Sequence, residues 1–360
     1  MRWVGRLLAE IMLGINILIV LMLLLAAYSS YLNPQSFPTL SCMGLAFPVF
    51  LLANLLFFCF WLFVHRKYAL LSFLALIGCW GAITTYVPLN WFKGDAPDNA
   101  VRILSYNTRA FGEKASHTKE TPNEILAYLQ QSDADIICLQ EYIWGNKLKK
   151  KDIDYAMRKY PYKHYYSLAG GLNGLGCYSR FPILSTKPIP YKSNRNGSIV
   201  YYIKVKEDTL VVINNHLESN RIFKADVETY QDMVDAPNSQ NLSSGMRKLL
   251  KKLAEATVRR STQVDKVRET IQSLKGKKLI ACGDFNDTPI SYTHRAMCED
   301  LQDAFVEAGN GLGISYNRNR LYFRIDHILA SKDLKIFDCK VDDSIKASDH
   351  NPIWCFVSLK

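Results

Sequence analysis

Charge is nearly missing from the first quarter of this 360-residue chain: between Leu7 and Trp91 the only Asp, Glu, Lys or Arg residues are Glu10, Arg66 and Lys67. A surface so poor in charge does not suit a domain that stands in water. A small transporter with an accessory domain is disfavoured as well, because solute pathways need ionisable groups inside their spans. The nine cysteines include no C-x-x-C pair and no metal-ligand spacing. Cys42, Cys59 and Cys79 fall in or beside apolar runs, and Cys138, Cys282 and Cys355 inside strand-like ones, so buried free thiols are expected. No internal repeat or low-complexity tract interrupts the chain.

What the first 91 residues do contain is three apolar runs, about 7–28, 43–64 and 68–87. At 1.5 Å per residue, a run of roughly 20 residues crosses a hydrocarbon core of about 30 Å. The first run is too long for the apolar core of a cleavable signal and two more follow, so an anchor of three transmembrane helices is expected over residues 1–91. Arg2 and Arg6 precede the first run and Arg66 with Lys67 sits between the second and third, whereas the Tyr31 to Ser41 loop carries no charge. By the bias of basic residues toward the cytoplasm, the order is in, out, in, out, which sends everything after Trp91 to the extracytoplasmic side. The formal net charge of +11 divides into +3 for residues 1–91 (Arg2, Arg6, Arg66 and Lys67 against Glu10) and +8 for the rest. The basic remainder suits anionic partners: phosphates, nucleic acid or lipid surfaces.

Residues 92–100, with "KGDAPDNA", form a polar linker. Short runs rich in Val, Ile and Tyr then follow: "VRILSY", "ADIICLQ", "GLGCYS", "SIVYYIKV", "TLVVIN", "KLIACG", "RIDHILAS" and "IWCFVSL". Helical spacing is confined to Asn123–Gln131, about Ile153–Lys159 and about Met246–Leu274. Strands succeed one another without a helix between Tyr162 and Asn215, which excludes a pure alternating βα barrel and favours two mixed sheets packed face to face, with helices outside. A long polar connection, Glu218–Gly245, leads into the last helix, whose other faces carry Arg247, Lys248, Lys251 and Lys252. The run Lys147–Lys151 reads as a solvated loop, and His117, His164 and His294, set among polar residues, as surface histidines.

Polar residues recur where apolar strands end: Asn107, Glu141, His216, Asp284 with Asn286, Asp326, and Asp349 with His350. Any one of these is an ordinary turn or cap residue. Together, with strand ends sharing a face, they would gather in one cleft suited to phosphoester hydrolysis. Carboxylate oxygens such as those of Glu141, Asp284 and Asp349 suit Mg²⁺, with Mn²⁺ as a substitute. An aspartate can deprotonate water, and a histidine can hold phosphoryl oxygens or protonate the leaving oxygen.

The ordered series "SYNTR", "LQE", "NGLGCYSRFPI", "NNHLES", "GDFND", "RIDHIL" and "SDHNPI" resembles the endonuclease/exonuclease/phosphatase superfamily, which includes DNase I-like nucleases and neutral sphingomyelinases, over residues 101–360. The resemblance implies an α/β fold, a four-layer sandwich of two mixed sheets between helices. It implies Glu141 as principal metal ligand with Asn107 beside it, Asp349 as a further ligand or outer carboxylate, and Asp284 as the group that aligns water. Asn286 would hold phosphate, His350 would contact phosphoryl oxygens with Asp326 orienting it, and His216 would bind phosphate or assist the leaving group. Asn173 and Arg180 have possible phosphate-side roles, although Arg180 equally suits a structural ion pair. Abasic-site endonucleases carry Asn-x-Asp in the first motif, but Thr108 and Arg109 follow Asn107 here, which argues against abasic-site repair. The expected function is therefore membrane-anchored, metal-dependent hydrolysis of a phosphoester, a diester by slight preference, in a lipid head group, nucleic acid or phosphorylated metabolite. The competing reading is a silent domain that binds anions or a partner. No protein partner can be read from the chain.

Overall fold

A computed structural model describes residues 2–91, 94–112, 116–118, 120–145, 148–220, 226, 239–318 and 321–359. Four helices come first: α1 (Arg2–Tyr28), α2 (Phe47–Val64), α3 (Arg66–Gly78) and α4 (Trp80–Tyr86). The helical stretches Trp3–Tyr31 and Leu40–Val64 are each long and apolar enough to cross a bilayer. The expected third span is not one straight helix, because α3 and α4 meet at 63° and reach spanning length only as a pair. The break lies at Cys79, between Gly78 and Trp80, and the Tyr28 hydroxyl donates to the Gly78 carbonyl at 2.7 Å, drawing an acceptor out of the helix ladder. Polar side chains tie the bundle together. Asn16 Nδ2 donates to Ser72 Oγ at 3.0 Å, Trp61 Nε1 to Asn16 Oδ1 at 2.9 Å, and Asn54 Nδ2 to the Ser72 carbonyl at 3.1 Å.

The α/β body holds two six-stranded sheets. The first runs, in spatial order, β13 (Lys335–Val341), β14 (Ile353–Ser358), β1 (Val101–Asn107), β2 (Ile136–Gln140), β4 (Asn173–Ser179) and β3 (Tyr162–Leu168). The second runs β5 (Ile183–Ile189), β6 (Gly197–Val205), β7 (Asp208–His216), β8 (Leu279–Asp284), β12 (Asp326–Ser331) and β9 (Leu301–Asp303). A hairpin, β10 (Tyr316–Arg318) with β11 (Leu321–Phe323), stands apart. Each sheet has a parallel pair at its centre, β1 with β2 and β7 with β8.

Strand alternation builds the layers. Ile103, Ile136 and Cys138 point inward to meet Tyr201, Val212 and Cys282 of the opposite sheet. Leu104, Ile137 and Leu139 point outward, toward helices α5 (Glu124–Gln131) and α6 (Lys150–Ala156). On the far side Val211, Ile213 and Ala281 pack under Val264, Val267 and Ile271 of the long helix α7 (Ser239–Ser273). The result is the expected four-layer sandwich, with strands buried on both faces.

Two boundaries differ from the sequence reading. Lys150 and Lys151 open α6 instead of lying in a loop, and Lys150 pairs with Asp154 one turn on at 2.6 Å; Lys147 lies outside the described residues. Helix α7 begins inside the stretch read as a polar connection, because "SQNLSSG" supplies no apolar period to betray a first turn. Of the rest of that connection, residues 221–225 and 227–238 lie outside the described residues.

The N-terminal helical bundle is seated on the α/β body. Ile290 belongs to the same buried cluster as Leu23, Ala26 and Phe47. Arg295, in the short helix α8 (Tyr292–Met297), donates Nε–H to the Ser30 carbonyl at 2.8 Å, and Arg324 reaches the Thr85 carbonyl at 2.5 Å. Gly44 marks the closest approach: a Cβ there would stand 1.7 Å from the Ile290 carbonyl oxygen. Gly44→Ala should therefore cost about 1–3 kcal/mol through overpacking, read as a lower unfolding midpoint of the full chain in detergent. Gly14→Ala, whose methyl would meet nothing within 4 Å, should not lower it.

Candidate active site

Register brings the chemistry together. The parallel β7–β8 pairing sets His216 opposite Asp284, and the antiparallel β8–β12 pairing sets Asp284 opposite Asp326, so three polar residues share one row across the second sheet. In the first sheet Asn107 pairs with Gln140, one residue before Glu141. The chain turns sharply at these ends. Glu141 and Asn286 take left-handed backbone, with φ of 47° and 53°. Gly283 has φ of 134°, and a Cβ on it would meet the Asn215 carbonyl oxygen at 2.0 Å, so only glycine lets β8 lie this close to β7 before Asp284.

Asp284 is the centre of the cleft. Its Oδ2 accepts from Asn107 Nδ2 at 3.0 Å and its Oδ1 from the Asn286 backbone N–H at 2.8 Å. His216 Nε2 stands 3.7 Å from Asp284 Oδ2 and 3.8 Å from Glu141 Oε1, and His350 Nε2 stands 3.8 Å from Asp284 Oδ2. His350 is held from behind, where its Nδ1 donates to Asp326 Oδ2 at 2.8 Å. Asn286 Nδ2 donates to the Leu217 carbonyl at 2.9 Å. Asp349 lines the rim and pairs with Arg109 at 3.5 Å and Arg318 at 3.3 Å. Glu141, His216, Asp284, Asn286, Asp349 and His350 all line one cavity of about 430 Å³.

Burial sets the protonation states. It raises the Asp284 carboxyl to about 6, with Asp326 adding to the rise and His350 opposing it. It raises Glu141 as well, and lowers His216, which favours the neutral ring. For His350 burial works downward, but Asp326 and Asp284 outweigh it and carry the ring up to about 10, so it is an imidazolium at neutral pH. The cleft therefore offers a carboxylate near its working range beside a fixed cation.

Of the ten site residues read from the sequence, Arg180 does not join the others. Asn173 opens β4 and Arg180 follows its end, so one motif spans the length of a strand. Arg180 pairs with Asp135 at 3.2 Å and Asp133 at 3.3 Å, the structural ion pair. Asn173 remains beside the cleft, its Nδ2 3.5 Å from His216 Nδ1 and donating to the Arg195 carbonyl at 2.8 Å. Sequence reasoning missed Tyr316, whose ring lies 5.2 Å from that of His350, and the cavity wall formed by Leu45 and the leucines of α7. Tyr316 sits in a three-residue strand with no apolar signature.

Comparison with known proteins identifies the family and the fold. A profile of the endonuclease/exonuclease/phosphatase family matches residues 104–350, and one described as a domain of unknown function matches residues 9–86. No curated protein matches the sequence. Among solved structures, truncated TDP2 from Caenorhabditis elegans is similar at a TM-score of 0.51 and 18% identity, over 73% of this chain and 99% of its own. The human nocturnin catalytic domain is similar at 0.50 and 16%, over 73% and 96%. An endonuclease/exonuclease/phosphatase from Bacteroides vulgatus is similar at 0.50 and 14%, over 72% and 99%.

Beyond the cleft, His294 is buried and not at the surface: its Nε2 donates to Asp303 Oδ2 at 2.7 Å. His164 is half-buried against the Tyr201 ring, and His117 Nδ1 accepts from the Asn123 backbone N–H at 3.1 Å. Burial opposes charge on His294, but Cys298 and Asp303 more than reverse it and carry the ring up to about 10. A raised folded-state value means that its contribution is complete below the unfolded value near 6.5 and is lost as pH rises toward 10. The neighbouring His327, pushed down to about 3 by burial, is neutral across that window and adds no slope. Asp303→Asn keeps the helix-capping oxygen but removes the charge. It should cost about 3–5 kcal/mol near pH 6.5 and flatten the fall in unfolding midpoint between pH 6.5 and 10, a parallel decline in both proteins being the contrary result.

Proposed function

Because the chain belongs to the endonuclease/exonuclease/phosphatase family, we propose that it is a membrane-anchored, divalent-metal-dependent phosphoester hydrolase, acting on a diester in preference to a monoester, with its cleft on the extracytoplasmic side. The observation that carries this reading is the convergence of Glu141, His216, Asp284 and His350, distant in sequence, on one cavity. A divalent cation fits the donors present. They are hard oxygens, and the buried Asp326 Oδ1 is left without a hydrogen-bond partner beside them. Glu141 with the Asn107 amide oxygen would hold the ion, with Asp349 at the rim. Bound there, it would neutralise phosphate charge and polarise the phosphoryl oxygens.

The chain's own groups supply the rest. The Asp284 carboxylate, fixed by Asn107 and the Asn286 N–H, accepts a proton from water as the water oxygen bonds to phosphorus and the ester P–O bond breaks. His350, oriented by Asp326, donates Nε2–H to a phosphoryl oxygen. Neutral His216 forms the opposite wall and hydrogen-bonds the phosphate. The leaving oxygen departs as an alcohol after taking a proton from solvent.

Sidedness is argued from charge and connectivity. Helix α2 begins next to the α/β body, where Gly44 meets Ile290, and α4 ends next to it, where the Pro88 carbonyl accepts from the Gly311 N–H at 2.9 Å. Arg66 and Lys67 lie at the other end of α2, as Arg6 lies at the start of α1, so the basic ends point away from the catalytic body.

A metal-replete hydrolysis screen on the full chain, with bis(4-nitrophenyl) phosphate, 4-nitrophenyl phosphate, sphingomyelin, DNA and inositol phosphates, tests the chemistry. Turnover should vanish with chelator, return with Mg²⁺ or Mn²⁺, and fall at least about 100-fold in Asp284→Asn and in His350→Ala. Anion binding without turnover on any substrate would instead favour the silent domain. A reporter fused after Val87 should be active outside the cytoplasm, and cytoplasmic activity would overturn the sidedness.

A further inference from the structure

The cavity that holds the candidate catalytic groups is also lined by Ser219, Asn220, Asp226 and Thr288. Its remaining wall is apolar and comes from three separate parts of the chain: Leu45 from the connector between α1 and α2, Leu249, Leu250 and Leu253 from α7, and Phe323 with Ile325 from β11 and the residues after it. These α7 leucines are only half-buried, unlike Val264, Val267 and Ile271 further along the same helix, which are covered by the second sheet. A water-soluble phosphoester offers nothing to cover such a wall. A groove of about 840 Å³ lies beside the cavity, between α7 and the same connector, bordered by Pro38, Thr39, Met246 and Leu250. Met246 and Leu250 line both spaces. Pro38, Thr39 and Leu45 lie between α1 and α2, at the end of the N-terminal bundle packed on the α/β body, so a bilayer around that bundle would have its surface beside the groove. Arg247 and Lys251 border the groove, together with Glu255 and with Arg259, which pairs with Glu218 at 3.4 Å. Cations there would face anionic head groups.

We propose that the substrate is a membrane lipid phosphoester, bound with its phosphate over Asp284 and His350 and an apolar chain along the Leu45–Leu250 wall, so that the anchor itself forms part of the chain-binding site. This rests on the hydrolase reading above. Hydrolysis would join water oxygen to phosphorus and break one P–O ester bond, with the released alcohol and phosphate or monoester balancing the equation.

Two homologous series of soluble probes test it on the full chain in nanodiscs: alkyl phosphates, read by phosphate release, and alkyl 4-nitrophenyl phosphates, read by nitrophenolate release, each from ethyl to octyl. Their chemistry at phosphorus is constant, so chain length alone varies. The expected result is a kcat/KM that climbs at least about thirtyfold from ethyl to octyl in whichever series is hydrolysed, as each buried methylene adds about threefold. Leu250→Asn and Leu45→Asn should each reduce the octyl-to-ethyl ratio by about tenfold or more. The chain-length series on the unaltered protein needs no variant, so misfolding of a variant leaves it decisive. Turnover independent of chain length would overturn the lipid assignment while leaving the hydrolase standing, and an undiminished ratio in Leu45→Asn would overturn the anchor's part in the wall. Absence of turnover on every phosphoester, including 4-nitrophenyl phosphate, would overturn both.

Discussion

The hydrogen bond from Asn107 to Asp284, 3.0 Å long, joins the last residue of β1 in one sheet to the last residue of β8 in the other. Around this bridge the two sheets present their parallel strand ends to a single cleft. A second bridge beneath it, Gln140 Nε2 to Asn214 Oδ1 at 2.6 Å, links β2 to β7 in the same way. A buried carboxylate is costly unless its oxygens are occupied, and Asp284 has both occupied, one from each side of the interface between sheets. The same pair of bonds therefore holds the layers in alignment and fixes the carboxylate that would receive water's proton. Strain gathers at this edge too: Glu141 and Asn286 take left-handed backbone, and Gly283 occupies a conformation closed to other residues.

How far the fold could be read from the sequence depended on which strands are covered on both faces. The eight apolar runs correspond to β14, β1, β2 and β4 of one sheet and β6, β7, β8 and β12 of the other, which are the interior strands of each. Within these two sheets the strands left unread, β3, β5, β9 and β13, are the four edges, and the separate hairpin β10–β11 went unread as well. An edge strand keeps one side in solvent and carries the residues that discourage further pairing, as with Lys187 and Pro188 in β5 or Lys335 and Lys340 in β13. Its sequence loses the hydrophobic signature for the same reason that it makes a safe edge. Candidate site residues come together where a motif adjoins the end of an interior strand, since register with the neighbouring strand sets its position, as for His216, Asp284 and Asp326. Arg180 does not join them, because its motif runs from one end of β4 to the other. The burial of His294 was not legible, because Asp303, the partner that makes burial tolerable, belongs to a three-residue edge strand with no pattern of its own.

Helix α7 shows the limit of periodicity most clearly. Its apolar positions recur at helical spacing through both halves, yet the halves serve different ends. Val264, Val267 and Ile271 close the outer layer of the sandwich, whereas Leu249, Leu250 and Leu253 stop short of any sheet and face the cavity. Spacing reveals that a helix has an apolar face, and only tertiary placement reveals what that face meets. The N-terminal bundle's contribution was hidden for a related reason: Leu45 reads as one more residue of an apolar run, and its place in the same cavity as Asp284 depends on the docking of α1 and α2 against residues some 240 positions away, by the separation of Gly44 from Ile290.

That docking is made by the segment that follows Asn286, which couples the two halves of the molecule. Asp287 is clamped by Arg260 Nε at 3.1 Å and Thr293 Oγ1 at 2.8 Å, and its carbonyl is 3.0 Å from His327 Nε2. Three residues on, Ile290 enters the buried cluster of the anchor, and Arg295 then binds the Ser30 carbonyl. Asn286, through its N–H on Asp284 and its side-chain amide on the Leu217 carbonyl, sits at the start of this segment. A chain held on one side by the α/β core and on the other by the helical bundle has little freedom to shift between them, because close-packed interiors transmit displacement instead of absorbing it. The anchor's position is thereby imposed on the turn that fixes Asp284. In this architecture the apolar N-terminal bundle forms part of the wall of the candidate site and braces the turn beneath it.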